Sequence, residues 1–212
     1  MNALYEYIAQ HYKPNEPIFT KELKSAVEMS DANFRQTIKR LSDKGLLMKV
    51  RKGIYFLPNK KSILKKPILD VREIVNRQYM KQEEEIVGYD TGTNFANSLG
   101  LTTQTASVPT VVTNNTSSLQ RKVTLYDKKI IIKKPRVPVN RRNYRLLQVL
   151  DLLNDFDRIS EETLDQARAR IVDYLRQGEI DKEEIERSLR SYPAKTQVKF
   201  YASGVYNELT HG

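Results

Sequence analysis

Over the first eleven residues Leu4, Tyr7, Ile8 and His11 recur at i, i+3, i+4 and i+7, the spacing of one helix face. Pro14 and Pro17 forbid its continuation. Thr20 predicts the N-cap of a short second helix reaching Val27, with Leu23 and Val27 turned inward. Ser30 predicts the cap of a third helix, buried through Phe34, Ile38 and Leu41 and running to about Lys44, where Gly45 supplies the left-handed residue that ends it. Two short β-prone runs between Leu46 and Pro58 flank Arg51, Lys52 and Gly53, the pattern of a hairpin with a cationic tip. Helix, turn, helix and hairpin in this order predict a winged helix-turn-helix over residues 1–58.

The remainder changes character. Residues 59–67 (NKKSILKKP) are short, basic and closed by proline, as an interdomain linker would be. Leu69, Val71, Ile74 and Val75 suggest a helix from Ile68 to about Gln82, ending at Glu83, Glu84 and Glu85. Asp90-Thr91-Gly92 reads as a turn into a short helix, Asn94 to Leu99, stopped by Gly100. Residues 105–113 and 123–133 are β-prone and separated by the loop-forming run Asn114 to Ser118. The last third is helical: a leucine-rich segment from Asn143 to Phe156, a helix capped by Ser160, one opened by Asp181 with Glu184 as a capping box, and one after Pro193 carrying Val198, Tyr201, Val205 and Leu209. The expected fold is α+β, a winged helix-turn-helix followed by a C-terminal domain over 68–212, mixed α/β to residue 139 and a helical bundle from 140.

Charge sharpens this picture once it is located. The net charge is +10, yet residues 1–66 hold fourteen Lys/Arg against six Asp/Glu, and residues 120–145 hold ten against Asp127 alone. The rest is acidic. Two separate basic regions favour a polyanionic partner over ordinary solvated surface charge. On the third helix Asn33, Gln36, Thr37 and Arg40 fall on a polar stripe, and amides and guanidinium are the groups that make paired hydrogen bonds to base edges. Arg35 and Lys39 beside them, with Lys49, Arg51 and Lys52 of the hairpin, suit phosphates of double-stranded DNA. The second region, Arg121, Lys122, Lys128, Lys129, Lys133, Lys134, Arg136, Arg141, Arg142 and Arg145, would extend that contact or meet RNA or a protein.

Other chemistry recedes. The chain has no cysteine and two histidines far apart, which disfavours zinc sites and thiol catalysis, and His11 lies on the apolar face of the first helix as a core residue would. Asp90-Thr91-Gly92 matches the short aspartic-protease signature, but the β-rich context that signature needs is missing. No phosphate-binding lysine loop, dinucleotide glycine fingerprint or nucleophile elbow occurs, so neither enzymatic activity nor a cofactor is expected. No apolar run is long enough for a membrane span and the start is polar, so a cytoplasmic protein is expected.

Three features together resemble the AbiEi family of bacterial antitoxins, from abortive-infection systems of the type IV toxin–antitoxin class. They are the N-terminal module ending in Gly53–Pro58 (GIYFLP), the run Gly88-Tyr89-Asp90-Thr91-Gly92 leading to Leu99-Gly100-Leu101-Thr102-Thr103-Gln104, and the basic stretch before Leu147-Gln148-Val149-Leu150-Asp151. The resemblance implies a winged helix that represses its own operon at promoter inverted repeats, filled by up to two copies. It also implies a C-terminal domain that counteracts a nucleotidyltransferase-like toxin without a stable complex. A ligand-responsive winged-helix repressor without a toxin is the alternative.

Overall fold

A computed structural model describes residues 3–59 and 68–210. All of the expected linker except Asn59 lies outside the described residues. The chain is mixed α+β and divides into two compact units, Met1–Arg77 with Leu125–Asp127, and Gln78–Thr124 with Lys128–Gly212. The division falls after residue 77, so the helix that follows the basic segment groups with the first unit.

In the first unit α1 (Ala3–His11) buries Leu4 and Ile8. His11 does not join them: its ring is exposed, stacks on Tyr7 at 4.0 Å between centroids and hydrogen-bonds the Tyr7 carbonyl at 2.8 Å. The core expectation for His11 fails because a last-turn side chain has no following turn to cover it. A two-residue strand, β1 (Ile18–Phe19), leads directly into α2 (Thr20–Ser25). Thr20 is not the cap; Phe19 holds that position, and the Thr20 hydroxyl donates instead to the Gly53 carbonyl at 3.4 Å, with the Thr20 amide on the same oxygen at 2.9 Å.

Helix α3 (Asp31–Asp43) follows the sequence closely. Ser30 Oγ accepts from the Asn33 amide, and Phe34, Ile38 and Leu41 are buried. At its end Gly45 has φ 67°, its amide donates to Ser42, and the Leu46 amide donates to Leu41, a Schellman arrangement. Strands β2 (Met48–Arg51) and β3 (Ile54–Phe56) form the hairpin, and β1 joins β3 to give an antiparallel sheet of order β1-β3-β2. One core unites Leu4, Ile8, Ile18, Leu23, Phe34, Ile38, Leu41, Leu47 and Leu57.

Helix α4 (Val71–Val75), capped by Asp70, is followed by a π-helical turn, Asn76–Met80. The long helix expected to residue 82 stops here. Lys81–Gln82 and Glu85–Ile86 pair as β4 and β5, and the acidic run spans the turn between them and the first residue of β5, with Glu83 at φ 51°. Three adjacent carboxylates oppose the negative C-terminal pole of a helix, and a turn lets them diverge into water.

The second unit is built on a sheet of order β6-β7-β9-β8, made of β6 (Gly88–Thr91), β7 (Thr110–Thr113), β8 (Gln120–Leu125) and β9 (Lys128–Lys133). β7 runs antiparallel to β6 and parallel to β9. Gly88 is required by close approach, since a Cβ there would lie 2.1 Å from the Tyr79 carbonyl. Gly92, at φ 72°, turns the chain from β6 into α5 (Thr93–Ser98). Against this stands α6 (Tyr144–Ile159), where Leu146, Leu147, Val149, Leu150, Leu152 and Leu153 are all fully buried between β6, α5 and three further helices, α7 (Leu164–Arg176), α8 (Lys182–Leu189) and α9 (Ala194–Ala202). Thr163, not Ser160, caps α7, in a capping box with Gln166. Asp181 caps α8 through the Glu184 amide, but the Glu184 carboxylate turns to Ser188 and Arg187, so only half of that box forms. Gly204 at φ 76° breaks the expected last helix into α9 and α10 (Val205–Thr210), and Val198 and Tyr201 face outward while Thr196, Phe200 and Val205 turn in. Among the described residues no helix is long and apolar enough to cross a membrane.

Candidate nucleic-acid interface

Helix α3 has one buried and one open side, and the hairpin stands beside it. Phe34, Thr37, Ile38 and Leu41 line the buried side, so Thr37, 7% exposed, leaves the polar stripe on which the sequence placed it. The reason is angular: Thr37 lies one turn from Phe34 and Leu41, nearer the centre of the core face than Asn33 or Arg40. Asn33, Gln36 and Arg40 remain exposed, as do Arg35 and Lys39.

A groove of about 920 Å³ opens between α2, α3 and the hairpin. Phe34, Ile38, Tyr55 and Gly53 contribute its apolar surface, and Lys21, Lys24, Arg35, Lys39, Lys49 and Lys52 line it with Asp31 and Asp43. Four of the expected phosphate contacts are thereby brought together. Arg51 is not among them. The β2–β3 register shifts between Lys49 and Arg51, so that Lys49 pairs with Tyr55 on the groove side while Arg51 pairs with the buried Ile54. Cross-strand partners share a face and successive pairs alternate, so the bulge carries Arg51 away from Lys49.

The hairpin is held in place. Gly53, at φ 88°, forms the tip, and its carbonyl takes both Thr20 donors. On another side of the unit Arg77 donates to Glu16 Oε1 (2.6 Å) and the Pro17 carbonyl (3.1 Å), pairs with Glu22 (3.5 Å) and covers the Phe19 ring. These contacts fix the segments on either side of β1, from which α2 starts. Lys21 and Lys24 were not recognised in the sequence, because nothing along α2 says that it borders the hairpin.

The second basic region is less uniform than its sequence. Arg121 lies over Tyr79, Arg136 over Tyr192, and Arg145 between Tyr144 and Tyr174, with guanidinium-to-ring distances of 4.7–5.8 Å. Those three are engaged by aromatic faces. Arg142 borders a small polar recess with Glu179, Asp181, Glu183, Glu184 and Arg187. Lys122, Lys128, Lys129, Lys134 and Arg141 are exposed and Lys133 is half-buried.

The motif residues of the second unit hold structure together. Asp90 and Thr91 lie in β6, and Gln148 donates to the Asp90 carbonyl at 2.6 Å. In the 99–104 run, Thr102 Oγ1 (2.8 Å) and the Thr103 amide (3.2 Å) donate to the Glu161 carboxylate, hydrogen bonds that hold its pKa below the usual range. Asp151 is a half-buried carboxylate accepting from Tyr89 (Oδ2, 3.0 Å) and Tyr192 (Oδ1, 3.0 Å). Among the described residues no group of three or more His, Asp or Glu could hold a metal ion.

A spaced set of cations around a groove, on a helix that also exposes two amides and a guanidinium outside the groove lining, is chemically suited to an extended polyanion with readable edges. The model of a protein family described as a family of unknown function, DUF6088, matches residues 18–187, a span that takes in every groove residue and Asp151. No curated protein matches the chain.

Proposed function

We propose that this chain, which belongs to the family of unknown function DUF6088, is a non-enzymatic double-stranded DNA-binding protein whose first unit is a winged helix-turn-helix. The observation that carries the reading is the groove between α2, α3 and the hairpin, lined by six cations and two carboxylates, on a helix α3 that also exposes Asn33, Gln36 and Arg40 outside the groove lining. On this reading α3 enters the major groove, the three exposed polar side chains address base edges, and the hairpin and α2 hold phosphates. The resemblance to AbiEi antitoxins supplies the biological role: the chain represses its own operon at promoter inverted repeats and opposes a nucleotidyltransferase-like toxin encoded beside it.

Titration of the full chain against its own promoter region and a scrambled duplex of equal length tests the DNA step. Wild type should prefer the promoter, and Arg40→Ala should lose about 1–3 kcal/mol together with base preference at one position. Equal affinity for both duplexes would remove base readout from the proposal. Co-expression with the product of the neighbouring gene tests the role, growth rescue being the expected result.

A further inference from the structure

Resting on the DNA-binding reading above, we propose that Asp31 is a built-in competitor of the DNA backbone: its carboxylate holds Lys24 and Arg35 on the groove rim, and a phosphate takes both cations from it on binding. Asp31 Oδ1 lies 3.6 Å from Lys24 Nζ, and Oδ2 lies 4.0 Å from Arg35 Nη2. All three residues line the same groove. The Lys24 ammonium also donates to the Met29 carbonyl, which anchors it at the foot of α3, and its side chain is only 32% exposed. The cation is thus pre-positioned, with a carboxylate standing where an anionic ligand would sit.

The pairs are weak enough to exchange. Exposed ion pairs at these separations contribute little to stability, whereas a duplex phosphate also brings release of condensed counterions. Asp31 stays at the rim after the exchange and repels the phosphate it faces. It therefore lowers affinity for any duplex by the same factor and leaves discrimination to Asn33, Gln36 and Arg40. Residues that read only the backbone act on all sequences alike, so the carboxylate restrains non-specific binding without touching sequence choice.

The test measures affinity of the full chain for promoter and scrambled duplexes over a range of salt, with thermal melts confirming that each variant is folded. Asp31→Asn should tighten binding to both duplexes by about three- to tenfold at low salt, with the gain shrinking as salt screens the charge. In a Lys24→Ala/Arg35→Ala background the same substitution should give at most half of that gain on a logarithmic scale, because the cations being released are gone. Unchanged affinity of Asp31→Asn, a gain confined to one duplex, or an undiminished gain without Lys24 and Arg35 each overturns the inference while leaving DNA binding intact. Failure of wild type to bind either duplex overturns the DNA reading and the inference together.

Discussion

At the scale of single residues, environment decides what a side chain does, and Asp151 shows it most sharply. Burial raises its carboxyl pKa, and the hydrogen bonds from Tyr89 and Tyr192 and the charges of Arg136 and Lys133 offset this only in part. Burial likewise pushes both phenols up, so they remain protonated donors. A carboxyl whose folded pKa exceeds its unfolded value binds its proton more tightly in the native state. Its contribution to stability is complete below the ordinary carboxylate range and is lost as pH rises through the folded value. The melting temperature of wild type relative to Asp151→Asn should therefore rise on going from neutral to mildly acidic pH; a pH-independent difference would mean that Asp151 does not titrate differently on folding. Asp151→Ala should cost about 2–4 kcal/mol in denaturant melts at neutral pH, because it strands two buried hydroxyls. The sequence shows an aspartate after a leucine-rich run, but its partners lie 62 and 41 residues away, and no local pattern encodes them.

At the scale of elements, what was legible is what depends on neighbours in sequence. Ser30 and Asp181 cap helices, Gly45 ends α3 and Gly53 turns the hairpin, because each acts on backbone within a few residues. Thr20 was misassigned as a cap, and the separation of Arg51 from Lys49 was not foreseen, because both depend on contacts across the sheet, the Gly53 carbonyl and the β2–β3 bulge. Gly45 at the end of α3 and Gly53 at the hairpin tip offer a clean contrast between two left-handed glycines. A Cβ at Gly45 meets nothing within 4 Å, and one at Gly53 meets only Thr20 Oγ1 at 3.5 Å, so alanine at either is strained by φ and not by crowding. Each substitution should cost about 1–2 kcal/mol. Only Gly53→Ala should also weaken duplex binding of the folded protein, since it alone re-aims Lys49 and Lys52. Equal loss of DNA affinity in both variants would mean that the effect is one of general stability.

At the scale of the whole molecule, the net charge of +10 is the least informative number and its distribution the most. Of the first basic block, Arg35, Lys39, Lys49 and Lys52 gather in one groove, while the second gives three of its arginines to aromatic faces inside its own unit. Charge counting sees the two blocks as equal because it is blind to what each guanidinium touches. The mixed architecture and helical end were legible from periodicity; the place of division after residue 77 was not, because it depends on which contacts α4 makes. The two-unit organisation makes the proposed roles separable by substitution in the full chain. Asn33, Gln36 and Arg40 are exposed and lie outside the buried core of α3, so replacing all three by alanine should leave both units folded. Promoter preference should then fall to the level of scrambled duplex, while phosphate-driven binding with its salt dependence persists through the groove cations. Under the proposed role, rescue of growth on co-expression with the neighbouring gene should be retained, because the proposal gives that role to the second unit. A triple variant that represses normally would strip α3 of its readout role, and one that folds yet loses rescue would tie toxin opposition to DNA binding.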